Sequence, residues 1–160
     1  MTQPKFDQDF WEQLWSRTLR EHADKVARRP PNAHLMAEAA NLPPGRALDA
    51  GCGHGEDTLW LDWIEGNLAT WMPERGHYDL VVCLYVHVTG SVEDLVRRMA
   101  NAVAPGGTLF LVGHRPIDPS TGAPTTAADQ VQVSVEGAVA ALDPKVWDLV
   151  VAEERRAPPS

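Results

Sequence analysis

Apolar and polar residues alternate along this chain with two different periods, and the change of period marks its elements. Over residues 7–28, Phe10, Trp11, Leu14, Trp15 and Leu19 fall on one helical stripe, with Glu12, Arg17, Arg20 and Glu21 elsewhere, which predicts an amphipathic helix capped by Asp7 or Asp9. Pro30-Pro31 stops it, and Asn32 is placed to cap a second helix over 33–41. Pro43-Pro44-Gly45 turns the chain into a short apolar strand at 46–50. A nearly continuous apolar run, Tyr78 to Val86, reads as a strand covered on both faces of a parallel sheet. A helix over 91–103 follows, with Ser91 as its cap and Leu95, Val96, Met99 and Val103 as its inner face. Pro105-Gly106-Gly107 ends that helix, and residues 108–114 form the next buried strand, completing a β-α-β unit with a right-handed crossover. Residues 115–130 read as a loop rich in Pro, Thr, Ser, Gly and Ala. A helix over about 134–142 and a strand from Val146 to Glu153 follow, and residues 157–160 read as a frayed end.

Alternation of strands and helices sets the fold class as α/β. A length of 160 residues suits a single domain: N-terminal helices over 1–42, a core over 43–114 and a C-terminal part over 115–160. No apolar run reaches membrane-spanning length, and the first residues lack a basic-then-apolar signal pattern, so a cytoplasmic protein with no membrane partner is the expectation. A net charge of −8 argues against tracking a phosphate backbone, so nucleic acid is disfavoured as partner or substrate. Two cysteines make no disulfide framework. A zinc site can be drawn from Cys52, His54, Cys83 and His87, but it lacks C-x-x-C spacing and is a minor alternative.

The chemistry concentrates at the end of the first strand. Asp49-Ala50-Gly51-Cys52-Gly53-His54-Gly55 sets an acid before three glycines at every second position. Glycine tolerates positive φ and lets main chain approach a ligand closely. The spacing is G-x-G-x-G, whereas a dinucleotide loop uses G-x-G-x-x-G, so pyrophosphate is not the expected ligand and a nicotinamide-dependent oxidoreductase is the weaker enzyme class.

This run resembles motif I of the class I S-adenosylmethionine-dependent methyltransferases. The resemblance extends to Tyr78-Asp79-Leu80-Val81-Val82, similar to the family's fourth strand, and to Ala104-Pro105-Gly106-Gly107-Thr108-Leu109, similar to its segment before strand five. Glu65-Gly66-Asn67-Leu68 resembles the loop after strand three. The resemblance implies a Rossmann-like three-layer sandwich with a mostly parallel central sheet. It also implies a cofactor site of Asp49, Gly51, Cys52, Gly53, Gly55, Asn67, Leu68, Cys83 and Leu84. In that site Gly51 and Gly53 lie against the methionine part, Asp49 organises the loop and the cationic amino group, and Asn67 meets the adenine. S-adenosylhomocysteine would be the product. His87 or Tyr85, just past the buried strand, would face a small-molecule acceptor, with His87 as general base. Trp11 and Trp15 either dock the first helix on the sheet or form a lid over the site.

The chain departs from the family between the glycine loop and Glu65. Only Glu56 to Ile64 stands where the family carries a helix, a second strand and another helix, and two parallel crossovers cannot fit. Part of the strand 2 and strand 3 region is therefore expected to be missing. Residues 56–65 form either one short helix, or a helix to Leu61 followed by a stub of strand three. The acid that would accept hydrogen bonds from the ribose hydroxyls is missing too. A degenerate domain that binds a partner or cofactor without turnover is the alternative to a working enzyme. Sheet edges or apolar helix faces left open by the shortening are surfaces that a second chain could cover, so a homodimer is one possible assembly and the oligomeric state stays open.

Overall fold

The computed structural model describes residues 8–26, 30–53, 66–87, 90–125, 128 and 131–155. His54, Gly55, the expected helix or strand stub over 56–65, and residues 157–160 lie outside the described residues. The described chain is mixed α/β. Its order is α1 (Gln8–Val26), α2 (Ala33–Ala39), β1 (Ala47–Asp49), β2 (Tyr78–Leu84), α3 (Val92–Ala102), β3 (Val103–Val112) and α4 (Val135–Ala141). The strands form one open sheet in the order β1-β2-β3, parallel throughout.

β2 sits in the middle because its sequence suits burial on both sides. Three consecutive residues, Val81, Val82 and Cys83, are only 0%, 3% and 4% exposed. Successive strand residues point to opposite faces, so burial of neighbours in sequence means that both faces are covered. On one face Val81 and Cys83 join Ala50, Leu95, Met99 and Ala102 in the core, with Leu48, Leu68, Trp71 and Leu109 packed around them. α3 supplies the helical wall. Ser91 Oγ accepts from the Asp94 N–H at 3.1 Å, and Glu93 and Asp94 in the first turn match the positive helix end. The buried stripe is Val92, Leu95, Val96, Met99, Ala100 and Ala102. α2 is capped as its sequence predicts: Asn32 Oδ1 accepts from the His34 and Leu35 N–H groups at 2.9 and 3.1 Å.

Four expectations are adjusted. Val103 belongs to β3, not to the inner face of α3, because the helix ends at Ala102 and the chain becomes extended at once. β3 therefore starts five residues before the predicted 108, with a register break: Tyr78 pairs with Val103, then Leu80 with Thr108. Pro105-Gly106-Gly107 bulges out of the strand there instead of merely ending the helix. Gly106 has φ +79°, and a Cβ on Gly107 would lie 2.9 Å from the Asp79 carbonyl oxygen. Finally, Val146 to Glu153 joins no sheet among the described residues; Val146–Trp147 closes a turn on the Asp143 carbonyl, and Val146 and Val150 are 75% and 88% exposed. An apolar, β-prone sequence forms a strand only when another strand offers its hydrogen-bonding edge.

The entry to β1 is fixed by one side chain. Asp79 Oδ2 accepts from the Arg46 N–H at 2.8 Å, and the Asp79 N–H donates to the Arg46 carbonyl at 2.7 Å. Gly45 is required beside it, since a Cβ there would stand 2.7 Å from Asp79 Oδ2. Met99→Ala, which empties a fully buried position, is expected to cost about 2–5 kcal/mol. Asp79→Ala, at an exposed hydrogen bond, is expected to cost about 1 kcal/mol. Chemical denaturation of both variants checks the order, and a Met99→Ala loss no greater than that of Asp79→Ala would contradict this core.

Candidate functional site

Parallel pairing puts the carboxyl ends of all three strands on one side of the sheet. Asp49 pairs with Val82, and Leu84 pairs with Val112. The turns that leave these ends, Ala50 to Gly53, Tyr85 to His87 and Gly113-His114, are therefore neighbours, in the place where open α/β sheets hold ligands.

The glycine turn is ordered by its own strand. The Ala50 N–H donates to the Val82 carbonyl at 2.8 Å, which extends the β1–β2 ladder by one residue. Gly51 and Gly53 then take φ values of +85° and +56°, in the left-handed region that disfavours side chains. Both glycines also face side chains of this chain. A Cβ on Gly51 would lie 2.8 Å from Val86 Cγ2 and 3.2 Å from Leu68 Cδ1. A Cβ on Gly53 would lie 3.7 Å from Cη2 and Cζ2 of Trp15. Trp15 thus brings α1 against the glycine turn.

Asp49 is half-buried at the end of β1, and its carboxylate acts on Cys83. Burial pushes the Cys83 thiol up to about 12, and the Asp49 charge adds to the rise. The thiol is therefore a neutral core group, and only the main chain of Cys83 is suited to meeting a ligand. Cys52 is half-buried and Leu84 likewise. Asn67 is exposed and organises its own turn: its Oδ1 accepts from the Ala69 N–H at 2.9 Å, and its carbonyl accepts from Thr70 and Trp71. The turn is held to α3 by Arg98, whose Nη2 donates to the Leu68 carbonyl at 2.7 Å.

At the other two strand ends lie Tyr85, His87 and His114. Tyr85 is the one non-glycine with positive φ among the described residues, at +54°. Its N–H donates to the Val112 carbonyl at 2.8 Å, so the neighbouring strand holds the strained residue in place. Its ring stacks on His114, with centroids 4.3 Å apart and planes 23° from parallel. The main-chain N–H of His114 donates to Gln132 Oε1 at 2.7 Å. Burial lowers the pKa of His87, and the His114 imidazole lowers it further; burial also lowers that of His114. Both rings are accordingly neutral at neutral pH, which is the form that accepts a proton.

The fold brings Asp49, Gly51, Cys52 and Gly53 together in one turn, with Leu68 beside it, and sets Cys83, Leu84, Tyr85 and His87 along the neighbouring strand end. It commits the Asn67 carbonyl-type oxygen to a local turn. Sequence reading passed over His114 as a site residue, although a parallel strand ending at Val112 must bring it level with the end of β2. It also passed over Val86, whose closeness to Gly51 depends on packing across the sheet. Among the described residues no group of three or more His, Cys, Asp and Glu is arranged to hold a metal ion, and His54 of the drawn zinc set lies outside them. Comparison with protein-family models, curated proteins and solved structures finds no match in any of the three.

Two measurements check this electrostatic picture. Because the folded-state histidine values lie below the unfolded 6.5, the unfolded chain binds more protons once pH falls below about 6.5, and stability declines there. The drop in melting temperature between about pH 7.5 and 5.5 is expected to shrink in the His87→Gln/His114→Gln variant. Thiol labelling of the native protein at about pH 8 is expected to modify Cys52 and leave Cys83 untouched; equal labelling of both would contradict the buried assignment.

Proposed function

We propose that this chain is an S-adenosylmethionine-dependent methyltransferase of the class I type, acting on a small-molecule nucleophile. The observation that carries the reading is the succession of an acid and two left-handed glycines at the carboxyl end of a parallel strand, Asp49, Gly51 and Gly53. In this reading the parallel sheet is the middle of a Rossmann-like three-layer sandwich that lacks part of its strand 2 and strand 3 region. The enzyme is cytoplasmic, uses no nucleic acid, and its open sheet edges suit a homodimer.

The residues fit the cofactor's methionine end. A carboxylate at Asp49 matches a cationic amino group, and main chain at Gly51 to Gly53 suits close approach. Leu68 with Val86, and Trp15 above Gly53, would keep water from the reacting centre. The main chain of Cys83 and Leu84 would border the cofactor, and Asn67 would meet the adenine through its amide nitrogen, since its oxygen is engaged. When bound, S-adenosylmethionine supplies a methyl group on a sulfonium, so the protein's part is mainly alignment and proton removal. His87 supplies the base, being neutral and adjacent to the strand end. S-adenosylhomocysteine would leave as product.

A second reading is favoured by one observation: Val86 and Leu68 already occupy the space beside Gly51. A domain that keeps the scaffold without turnover would tolerate such packing. Titration calorimetry with S-adenosylmethionine and S-adenosylhomocysteine separates the two. Binding that weakens about ten- to a hundredfold in Asp49→Asn, the worth of one charged hydrogen bond, supports the enzyme. No heat with either ligand at about millimolar concentration would sink it and leave the second reading.

A further inference from the structure

Two neighbouring arginines on α3 are used differently. Arg97 is exposed and pairs with Asp94 at 2.9 Å. Arg98 is half-buried and meets no carboxylate among the described residues; its Nη2 donates instead to the Leu68 carbonyl at 2.7 Å. Its Nε is buried with no hydrogen-bond partner among the described residues. Withdrawing part of a guanidinium from water costs free energy, which the one bond it makes must help to offset. That bond ends on a residue that faces two ways. The Leu68 main chain is held by α3, while its side chain reaches the glycine turn, where a Cβ on Gly51 would stand 3.2 Å from Leu68 Cδ1. The other hydrogen bonds of residues 67–71 are internal, from Ala69 to Asn67 Oδ1 and from Thr70 and Trp71 to the Asn67 carbonyl. Among the described residues, Arg98 makes the only hydrogen bond that joins this turn to the rest of the chain.

We propose that Arg98 is a positioning residue: through the Leu68 carbonyl it sets the Asn67–Leu68 turn against the Gly51 turn, and so governs affinity for the methyl donor from one remove. Leu68 and Trp71 also pack on the core. Apolar contact is non-directional, however, whereas a hydrogen bond from a charged donor is both directional and strong. With that bond in place, the Leu68 side chain stays beside Gly51 and the Asn67 amide keeps one setting. Without it, the turn rests on its internal bonds and on apolar contact alone, and it opens more often. The wall beside Gly51 then loses its fixed position. The affinity role rests on the methyltransferase reading; the holding of the turn does not, and it is measured without ligand.

Four full-length chains are compared: unaltered, Arg98→Met, Arg98→Lys and Arg97→Met, each checked for native circular dichroism. Methionine keeps an unbranched apolar stem and removes the donor, while lysine restores a charged donor. Without ligand, amide hydrogen exchange is expected to quicken at Ala69, Thr70 and Trp71 in Arg98→Met and to stay unchanged at Val81 and Val82. By calorimetry, the Kd for S-adenosylhomocysteine is expected to rise about tenfold in Arg98→Met, as for loss of a charged hydrogen bond. Arg98→Lys is expected to recover most of that loss, and Arg97→Met to bind like the unaltered chain. A merely structural role would lower the melting temperature and leave the Kd of the folded variant where it was. Unchanged exchange at residues 69–71 in folded Arg98→Met would overturn the holding of the turn. Quickened exchange with an unchanged Kd would overturn the affinity role. Should Arg98→Met fail to fold, the Arg98 side-chain N–H signals of the unaltered protein decide. Slow exchange and restricted guanidinium rotation are expected there, and free rotation would overturn the proposal. No heat from the unaltered chain with either S-adenosylmethionine or S-adenosylhomocysteine sinks the methyltransferase reading and the affinity role with it. The exchange result then still decides whether Arg98 holds the turn.

Discussion

Burial of a single strand on both its faces governs this molecule. Val81, Val82 and Cys83 leave water together, and that is achieved only if strands flank β2 and helices or loops cover it. Each fully buried side chain of this size contributes about 1.5–3 kcal/mol, so the central strand and the Leu95–Met99 wall that meets it anchor the sheet. The register follows from the same burial. A slip of one residue would turn Val81 and Cys83 out of the α3-facing core. With register fixed, β2 and β3 end level at Leu84 and Val112 while β1 ends two residues short, opposite Val82, and the Asp49 turn, the Tyr85 turn and His114 have no other place to be.

The elements that sequence reading reached are those governed by local rules. Asn32 and Ser91 cap as their side chains allow, and the β2 run is buried as its composition requires. The glycine turn was legible because positive φ leaves a mark on residue type. What escaped was settled by partners distant in sequence. Pro105-Gly106-Gly107 reads as a helix stop, yet it lies inside β3 at a register break, with Gly107 packed against the Asp79 main chain of the neighbouring strand. Val146 to Glu153 has every local property of a strand and lacks only a neighbour among the described residues. Half of the candidate site was of the first kind, with Asp49, Gly51 and Gly53 marked by their own identities. His114 was of the second kind, because nothing near it in sequence announces Tyr85.

The site shows a balance between closure and access. Trp15 above Gly53 and Val86 against Gly51 make the turn compact, and each would narrow the approach of a ligand from its side. Tyr85 and His114 stand stacked on one another at the two neighbouring strand ends of the same edge. The acid-to-thiol arrangement is similarly lopsided: burial, with the Asp49 carboxylate adding to it, keeps Cys83 protonated. One end of the sheet thus combines a charged carboxylate, neutral imidazoles and an inert sulfur within the span of three strand ends.

The bulge in β3 has a consequence for how this molecule meets others of its kind. β3 is the outer strand on its side of the described sheet, a position where an unbroken row of main-chain donors and acceptors would serve as a template for aggregation. Pro105 has no donor to offer, Gly106 swings the chain through a left-handed turn, and the row is interrupted near its start. The segment that gives Asp79 its close neighbour thus confines the regular part of this edge to Thr108–Val112.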